Sequence, residues 1–317
     1  MVPATLTAEV DAPRKALPPP LVEGRTTLRM LDAQADRAQV DRLLARAVPD
    51  DYLLSMLDRW LAAGGVMGGF DGDELVAIQR LDDLGEGEGW IGAIRVAPER
   101  RREGWGRRLT QWAIDVARGM GMSTVRLVIE DDNVASRALA KSNGFRSVAS
   151  MSHSVGIAPA PASATGLAAA PLRPVDPRGV PDPRELRGIR AMNGLLLTTT
   201  PRPMRFVRAS RERLVRMAEV GHLLVAGDDL RAGLCVVGPP GPSSRAETRV
   251  MRLFATLGED DLGTFEAASA VYRSEGAELE GFPPIDGDRL PRLRAAGWRS
   301  GEHAFWGEQV QLYEVRT

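Results

Sequence analysis

Apolar and polar positions switch between two periods along the first half of the chain. Residues 90–96, Trp-Ile-Gly-Ala-Ile-Arg-Val, form a short apolar run that predicts a strand. Over 109–118 the apolar residues recur at helical spacing instead. Residues 124–129, Thr-Val-Arg-Leu-Val-Ile, predict a buried strand, and 134–142 a helix closed by Gly144 with Asn143 beside it. Upstream, Leu57, Trp60 and Leu61 read as a core stripe. Phe70-Asp-Gly-Asp-Glu-Leu-Val-Ala77 is the expected turn of a hairpin.

The join between the strand at 90–96 and the helix at 109–118 carries the chemistry. Its sequence, Val96-Ala-Pro-Glu-Arg-Arg-Arg-Glu-Gly-Trp-Gly-Arg-Arg-Leu109, places Arg101, Gly104 and Gly106 as R-x-x-G-x-G. A helix opening there aims its unpaired N–H groups outward, with the positive end of its dipole behind them. That suits an anion, and a pyrophosphate fits. Five arginines between Arg100 and Arg108 add positive charge. The bland alternative is an arginine-rich surface turn. A P-loop is excluded because Gly-Lys-Ser/Thr is absent, and a dinucleotide fingerprint because the third glycine and its distant acid are missing.

Val96, Pro98, Arg101, Gly104 and Gly106 resemble the acetyl-CoA motif of the GNAT acetyltransferases, V-x-P-x-x-R-x-x-G-x-G. Asn133, Leu139, Gly144 and Phe145 are similar to the same family's later N-x-x-A-x-x-L-Y-x-x-x-G-F. The resemblance covers about residues 25–155. It implies an α/β (α+β) fold, with a mixed, mostly antiparallel sheet flanked by helices and a cofactor held between splayed fourth and fifth strands. It further implies pantetheine contacts from backbone groups of Ile94 and Val96 and from Asn133. The pyrophosphate would meet amides of Arg101, Arg102, Glu103, Gly104, Trp105, Gly106 and Arg107. An amine would attack acetyl-CoA directly, without an acyl-enzyme.

Ala140 stands where the family usually has a tyrosine acid. Coenzyme A is a tolerable leaving group without one, since a thiol has an unperturbed pKa of roughly 8.5. Ser136, one helical turn earlier, is the substitute candidate, against the plainer role of bonding the backbone. Glu130, at the end of the fifth strand, is the candidate base; the alternative is an ordinary solvated strand-end acid. Asp131 and Asp132 are candidates to attract a cationic amine. Asp50 or Asp51 is expected to cap the helix that follows, and Tyr52 to face the cleft. Glu86 and Glu88 read as solvated turn acids, and His153 as a packed or surface histidine on the sixth strand.

After residues 156–171, which are rich in Pro, Ala, Gly and Ser and carry no charge, the chain starts again. Leu28-Arg-Met-Leu-Asp32 is echoed by Leu172-Arg-Pro-Val-Asp176. The hairpin turn at Phe70 is echoed by Val225-Ala-Gly-Asp-Asp-Leu-Arg-Ala232, and Gly144-Phe-Arg-Ser147 by Gly297-Trp-Arg-Ser300. The expectation is two GNAT-like domains in tandem, the competing reading being coincidence among short strings. The organisation is an arm at 1–24, an acetyl-CoA-binding domain at 25–155, a linker at 156–171 and a degenerate domain at 172–317. In the second half the strand at 250–257 is followed by Gly258-Glu-Asp-Asp-Leu-Gly263, whose carboxylates would repel a pyrophosphate, and Asp286 replaces Asn133. One acetyl-CoA per chain is therefore expected.

Composition narrows the rest. Charged residues make up 26% of the chain but the net charge is −1, giving no case for nucleic acid or membrane binding. Cys235 is the only cysteine, and no His/Cys cluster has metal-ligand spacing. The reading is a cytoplasmic acetyltransferase without a metal, acting on a small-molecule or protein amine and compatible with a homodimer. Its alternatives are a non-catalytic acyl-CoA-binding or regulatory module and an acyltransferase using a longer acyl-CoA.

Overall fold

The computed structural model describes residues 18–48, 51, 53–54, 57–156, 172–185, 194–197, 205–226, 234–237, 250–257, 278–282, 285, 291, 294, 298–300 and 309–317. They divide into two compact units, one reaching to Val125 and including Thr317, the other spanning Arg126–Arg316. The dividing line falls inside a strand, and the segment 156–171 lies almost wholly outside the described residues.

The first unit contains β1 (Leu21–Glu23), β2 (Thr26–Met30), α1 (Arg37–Ala47), α2 (Leu57–Ala63), β3 (Val66–Asp71), β4 (Glu74–Asp83), β5 (Glu88–Val96) and α3 (Trp105–Gly119). Its strands run in the order β1-β2-β3-β4-β5 and every pair is antiparallel. β1 falls within the stretch expected to be an arm; its three residues pair with Thr26, Thr27 and Leu28. Alternation drives the sheet, and helical spacing drives what covers it. Val40, Leu43, Leu44, Leu57 and Leu61 from α1 and α2 form one cluster with Val66, Phe70, Leu75 and Ile78. Trp105, Leu109, Trp112, Ala113, Val116 and Ala117 give α3 its buried stripe. Gly69 on β3 leaves room for the Trp105 ring, which a Cβ there would meet at 3.3 Å.

The start of α1 is fixed by charge. Asp36, 2% exposed, takes both Arg29 guanidinium nitrogens at 2.7 and 2.6 Å and the Asp32 N–H at 2.7 Å. The Arg29 hydrogen bond holds the Asp36 carboxyl below the usual carboxylate range. Because the folded pKa lies below the unfolded one, this contribution is full above about pH 4 and is lost as the pH falls through the lowered value. Asp36→Ala should lower unfolding stability by about 3 kcal/mol, the low end for breaking a buried pair, because Arg29 is a third exposed. Urea unfolding at pH 7 checks this, and a loss under 1 kcal/mol would show the pair to be incidental.

The second unit takes up most of β6 (Thr124–Glu130), then α4 (Val134–Ser142), β7 (Arg146–Ser152), β8 (Ser154–Gly156), β9 (Leu172–Pro174), β10 (Leu195–Leu197), β11 (Phe206–Arg208), α5 (Arg211–Glu219), β12 (Leu223–Ala226), β13 (Leu234–Val237), β14 (Val250–Leu257), β15 (Glu278–Gly281), β16 (Trp298–Ser300) and β17 (Gln309–Arg316). β17 lies between β6 and β7, and β8 lies between β15 and β16. Each of these two strands comes from the other half of the sequence. The sheet continuing from β15 runs β14-β13-β12-β9, antiparallel except for the parallel pair β14/β15. The architecture is α+β with mixed, mostly antiparallel pairing. His153 sits at the break between β7 and β8 rather than on a strand; it is fully buried and stacks on Phe282 at 4.8 Å between ring centres.

Candidate functional site

β5 changes character along its length. Its first four residues are buried and the last five half-buried. The change coincides with a β-bulge: Ile78 faces Arg95 and Arg80 faces Gly92, leaving Ala93 and Ile94 opposite Gln79 alone. Ala93 takes φ 55°, rare for a residue with a side chain. Beyond the bulge lie Ile94, whose carbonyl accepts Arg95 Nη1 at 3.0 Å, and Val96, which faces Ala77. Glu88, expected to be a solvated turn acid, is instead the buried first residue of β5, 5% exposed; Glu86 is exposed as expected. The difference arises because the strand starts two residues earlier than its apolar run.

From β5 the chain passes through a single 3-10 turn, Pro98–Arg100, into α3. Gly104 caps the helix at φ 86°, where a side chain is strained, and a Cβ placed on it would have nothing within 4 Å. Backbone donation stops at Arg101, whose N–H bonds Pro98 O, and resumes at Arg108, whose N–H bonds Gly104 O at 3.0 Å. Among the described residues, the N–H groups of 102–107 find no acceptor. Consecutive free donors at a helix N-terminus, beside open space, are able to receive an anion.

The arginines divide their work in a way the sequence does not reveal. Arg100 pairs with Asp71 at 2.5 Å and Glu103 at 2.9 Å. Arg25 and Arg100 in turn hold the Asp71 carboxyl below its usual range. Arg101 donates to the carbonyl of Ala47, the last residue of α1, at 2.8 Å. Arg108 lies over the Trp105 ring at 4.4 Å and bonds Glu103 O. Trp105 itself is buried, with Nε1 on Glu103. Arg102 and Arg107 are exposed and have no ion-pair partner among the described residues. The five-arginine anion site thus reduces to two available side chains and a row of backbone amides. No sequence signal marks the partners, since Asp71 and Ala47 lie far away in the chain.

Glu130, Asn133 and Ser136 belong to the second unit, where one turn brings them together. Glu130 ends β6, half-buried, and its carbonyl accepts the Asn133 N–H at 3.1 Å. Asn133 caps α4, with its side-chain oxygen on Ser136 N–H at 3.0 Å. Its amide nitrogen has no partner among the described residues. The Ser136 backbone is therefore engaged by the cap, while its hydroxyl has no partner among the described residues. Asp131 is engaged through one oxygen: its Oδ1 takes Arg137 at 2.9 Å and Gln311 Nε2 at 2.6 Å. Asp132 is exposed.

In the first unit Asp51 is buried; it caps the turn at Leu53 and also holds Arg95 with both oxygens, at 2.6 and 3.1 Å. Asp50, Tyr52, residues 258–263 and Asp286 lie outside the described residues. Among the described residues, no group of three His, Cys, Asp or Glu is placed to hold a metal, and no helix is long and apolar enough to cross a membrane.

Ala140 is 2% exposed, and its carbonyl accepts both Phe145 and Asn143 N–H groups. Ala140→Tyr should therefore overpack this corner, costing about 1–3 kcal/mol, without raising the rate. A melting curve and a turnover assay decide it: a faster variant with an unchanged melting temperature would mean that the missing acid limits the rate.

The sequence profile of the acetyltransferase (GNAT) family matches residues 37–145. No curated protein matches. Among solved structures, a GCN5-related N-acetyltransferase from Sphaerobacter thermophilus is similar over 93% of this chain and 97% of its own, at 18% identity and TM-score 0.57. A provisionally named acetyltransferase from Pyrococcus horikoshii is similar over 94% of this chain and 91% of its own, at 14% identity and TM-score 0.54. One from Thermoplasma acidophilum is similar over 92% and 99%, at 13% and 0.52. At these identities the likeness is one of fold, and it runs nearly the full length of the chain. The segment 37–145 is thus similar to a GNAT acetyltransferase domain, an enzyme class that uses acetyl-CoA.

Proposed function

We propose, with that domain as premise, that the protein moves an acetyl group from acetyl-CoA directly onto a primary amine, using one cofactor site per chain. The observation that carries the reading is the row of unsatisfied N–H groups at 102–107, opening the helix behind Gly104. These amides would hold the pyrophosphate, with Arg102 and Arg107 adding charge from the rim. Ile94 and Val96, beyond the bulge of β5, and the Asn133 amide would take the pantetheine arm. Bound there, acetyl-CoA supplies the activated acyl carbon. Glu130 would receive the amine proton, directly or through water. A half-buried carboxylate at a strand end suits that role, whereas Asp131 has one oxygen already held by Arg137 and Gln311. Ser136 keeps a hydroxyl for the thiol side, with its backbone already fixed by Asn133.

The second half supports a reading as a repeat without a cofactor loop. Described residues of each echo lie on strands: Leu28 and Leu172 on β2 and β9, Phe70 and Val225 on β3 and β12, Arg146 and Arg299 on β7 and β16. The runs β2-β3-β4-β5 and β9-β12-β13-β14 correspond, as do β6-β17-β7 and β15-β8-β16. Its acids Glu259, Asp260 and Asp261 argue against a second pyrophosphate. Calorimetric titration should saturate at one acetyl-CoA per chain, and thiol release across a panel of amines and acyl donors should be fastest with acetyl-CoA and a primary amine. Two equivalents of cofactor would overturn the reading of the second half. Binding without turnover on any amine, or a preference for a longer acyl chain, would overturn the proposed reaction.

A further inference from the structure

The turn carrying Glu130 and Asn133 is held from outside its own sequence neighbourhood. β17 runs beside β6, and Gln309 O accepts the Asp131 N–H at 2.9 Å. Two residues on, Gln311 reaches the Asp131 carboxylate with Nε2 at 2.6 Å, and its own Oε1 accepts the Tyr313 hydroxyl at 3.1 Å. Tyr313 is 1% exposed. Arg137, on α4, takes the same Asp131 oxygen at 2.9 Å. Both ends of the Gln311 amide are thus committed, and its orientation follows from the chemistry. A carboxylate accepts only a donor, so nitrogen faces Asp131, and the carbonyl is left for the tyrosine hydroxyl. Asp131 ties β17 to α4 on either side of the turn. Glu130 precedes it directly, and Asn133 follows after one residue.

We propose that Gln311 is a positioning residue for the cofactor site: by fixing Asp131 it sets the turn that aims the Asn133 amide. This rests on the reading of Asn133 as a pantetheine contact. The cap bond from Asn133 to Ser136 fixes the oxygen of that amide, so where its nitrogen points depends on where the turn sits. Hydrogen bonds to a charged group are the stronger kind, which is why a glutamine half a chain away can matter here.

The test is a double-mutant cycle on acetyl-CoA affinity, read by calorimetry with the full-length chain. Asn133→Ser keeps a capping oxygen and removes the amide donor. Gln311→Ala removes the hold on Asp131. Each alone should raise the dissociation constant about fivefold, and Gln311→Ala in the Asn133→Ser background should raise it less than twofold further. A second variant guards against simple misfolding. Gln311→Glu sets two carboxylates together and should weaken binding. Adding Asp131→Asn lets the new amide donate to the new carboxylate and should bring affinity back to within threefold of the starting protein.

If Gln311→Ala leaves affinity unchanged while Asn133→Ser weakens it, the positioning role is wrong and the contact stands. Full additivity, or no rescue by the exchanged pair, would reduce Gln311 to a structural residue and overturn the proposal. If Asn133→Ser has no effect, the pantetheine contact fails, and the role of Gln311 falls with it.

Discussion

Gly104→Asp is expected to weaken acetyl-CoA binding by at least tenfold, or about 1.4 kcal/mol. Two separate effects meet at this position. Gly104 holds φ 86°, so any side chain strains the cap. A Cβ there projects into space with no protein atom within 4 Å, which is the space the phosphates would fill. Gly104→Ala shares the strain and most of the obstruction but carries no charge, so the gap between the two variants isolates the electrostatic part. The aspartate would also sit at the positive end of α3 and satisfy donors that the cofactor needs. Calorimetry on folded variants reads this out, and equal affinities for Gly104→Asp and the unaltered protein would remove the pyrophosphate from this loop.

The second large effect concerns the proton. Glu130→Gln keeps the size and polarity of the side chain and removes its ability to take a proton. The rate should fall tenfold or more while acetyl-CoA affinity barely changes, the pattern of a group acting on chemistry rather than on binding. With alanine at 140, kcat/KM should climb with pH to a plateau, without a falling limb from a tyrosine near ~10. Full activity of Glu130→Gln at every pH would place the base elsewhere. Asp131 would be a poor replacement, because losing its charge would also loosen Arg137 and Gln311.

What the sequence made legible follows from which forces are local. α4 and β14 fall at the positions their patterns predict, Val134–Ser142 and Val250–Leu257. The glycines at 104 and 106 marked the row of free donors because a tight turn into a helix leaves its mark within a few residues. The R-x-x-G-x-G spacing points to Arg101 at the anion loop but does not show that its side chain bonds the Ala47 carbonyl, a partner that only the folded chain supplies. The bulge at Ala93 gave no warning either, because the strain is borne by a residue whose type does not ask for it. The alternation in β17, Gln-Val-Gln-Leu-Tyr-Glu-Val-Arg, announces a strand with one buried side. Nothing in a period of two names the strand it will join.

The exchange of β8 and β17 also sets a timetable. Met151 on β7 waits for Val310, and Asp131 for Gln309 and Gln311, half a chain later. At about 5–20 residues per second of synthesis, that delay is on the order of ten seconds. During that time β7 emerges as an unpaired edge on a nascent chain, the kind of surface chaperones cover. The proposed cofactor turn is among the last parts of the protein to gain its final neighbours. A ribosome that stalls before residue 309 would release a polypeptide with every motif residue present and its Asp131 clasp unmade.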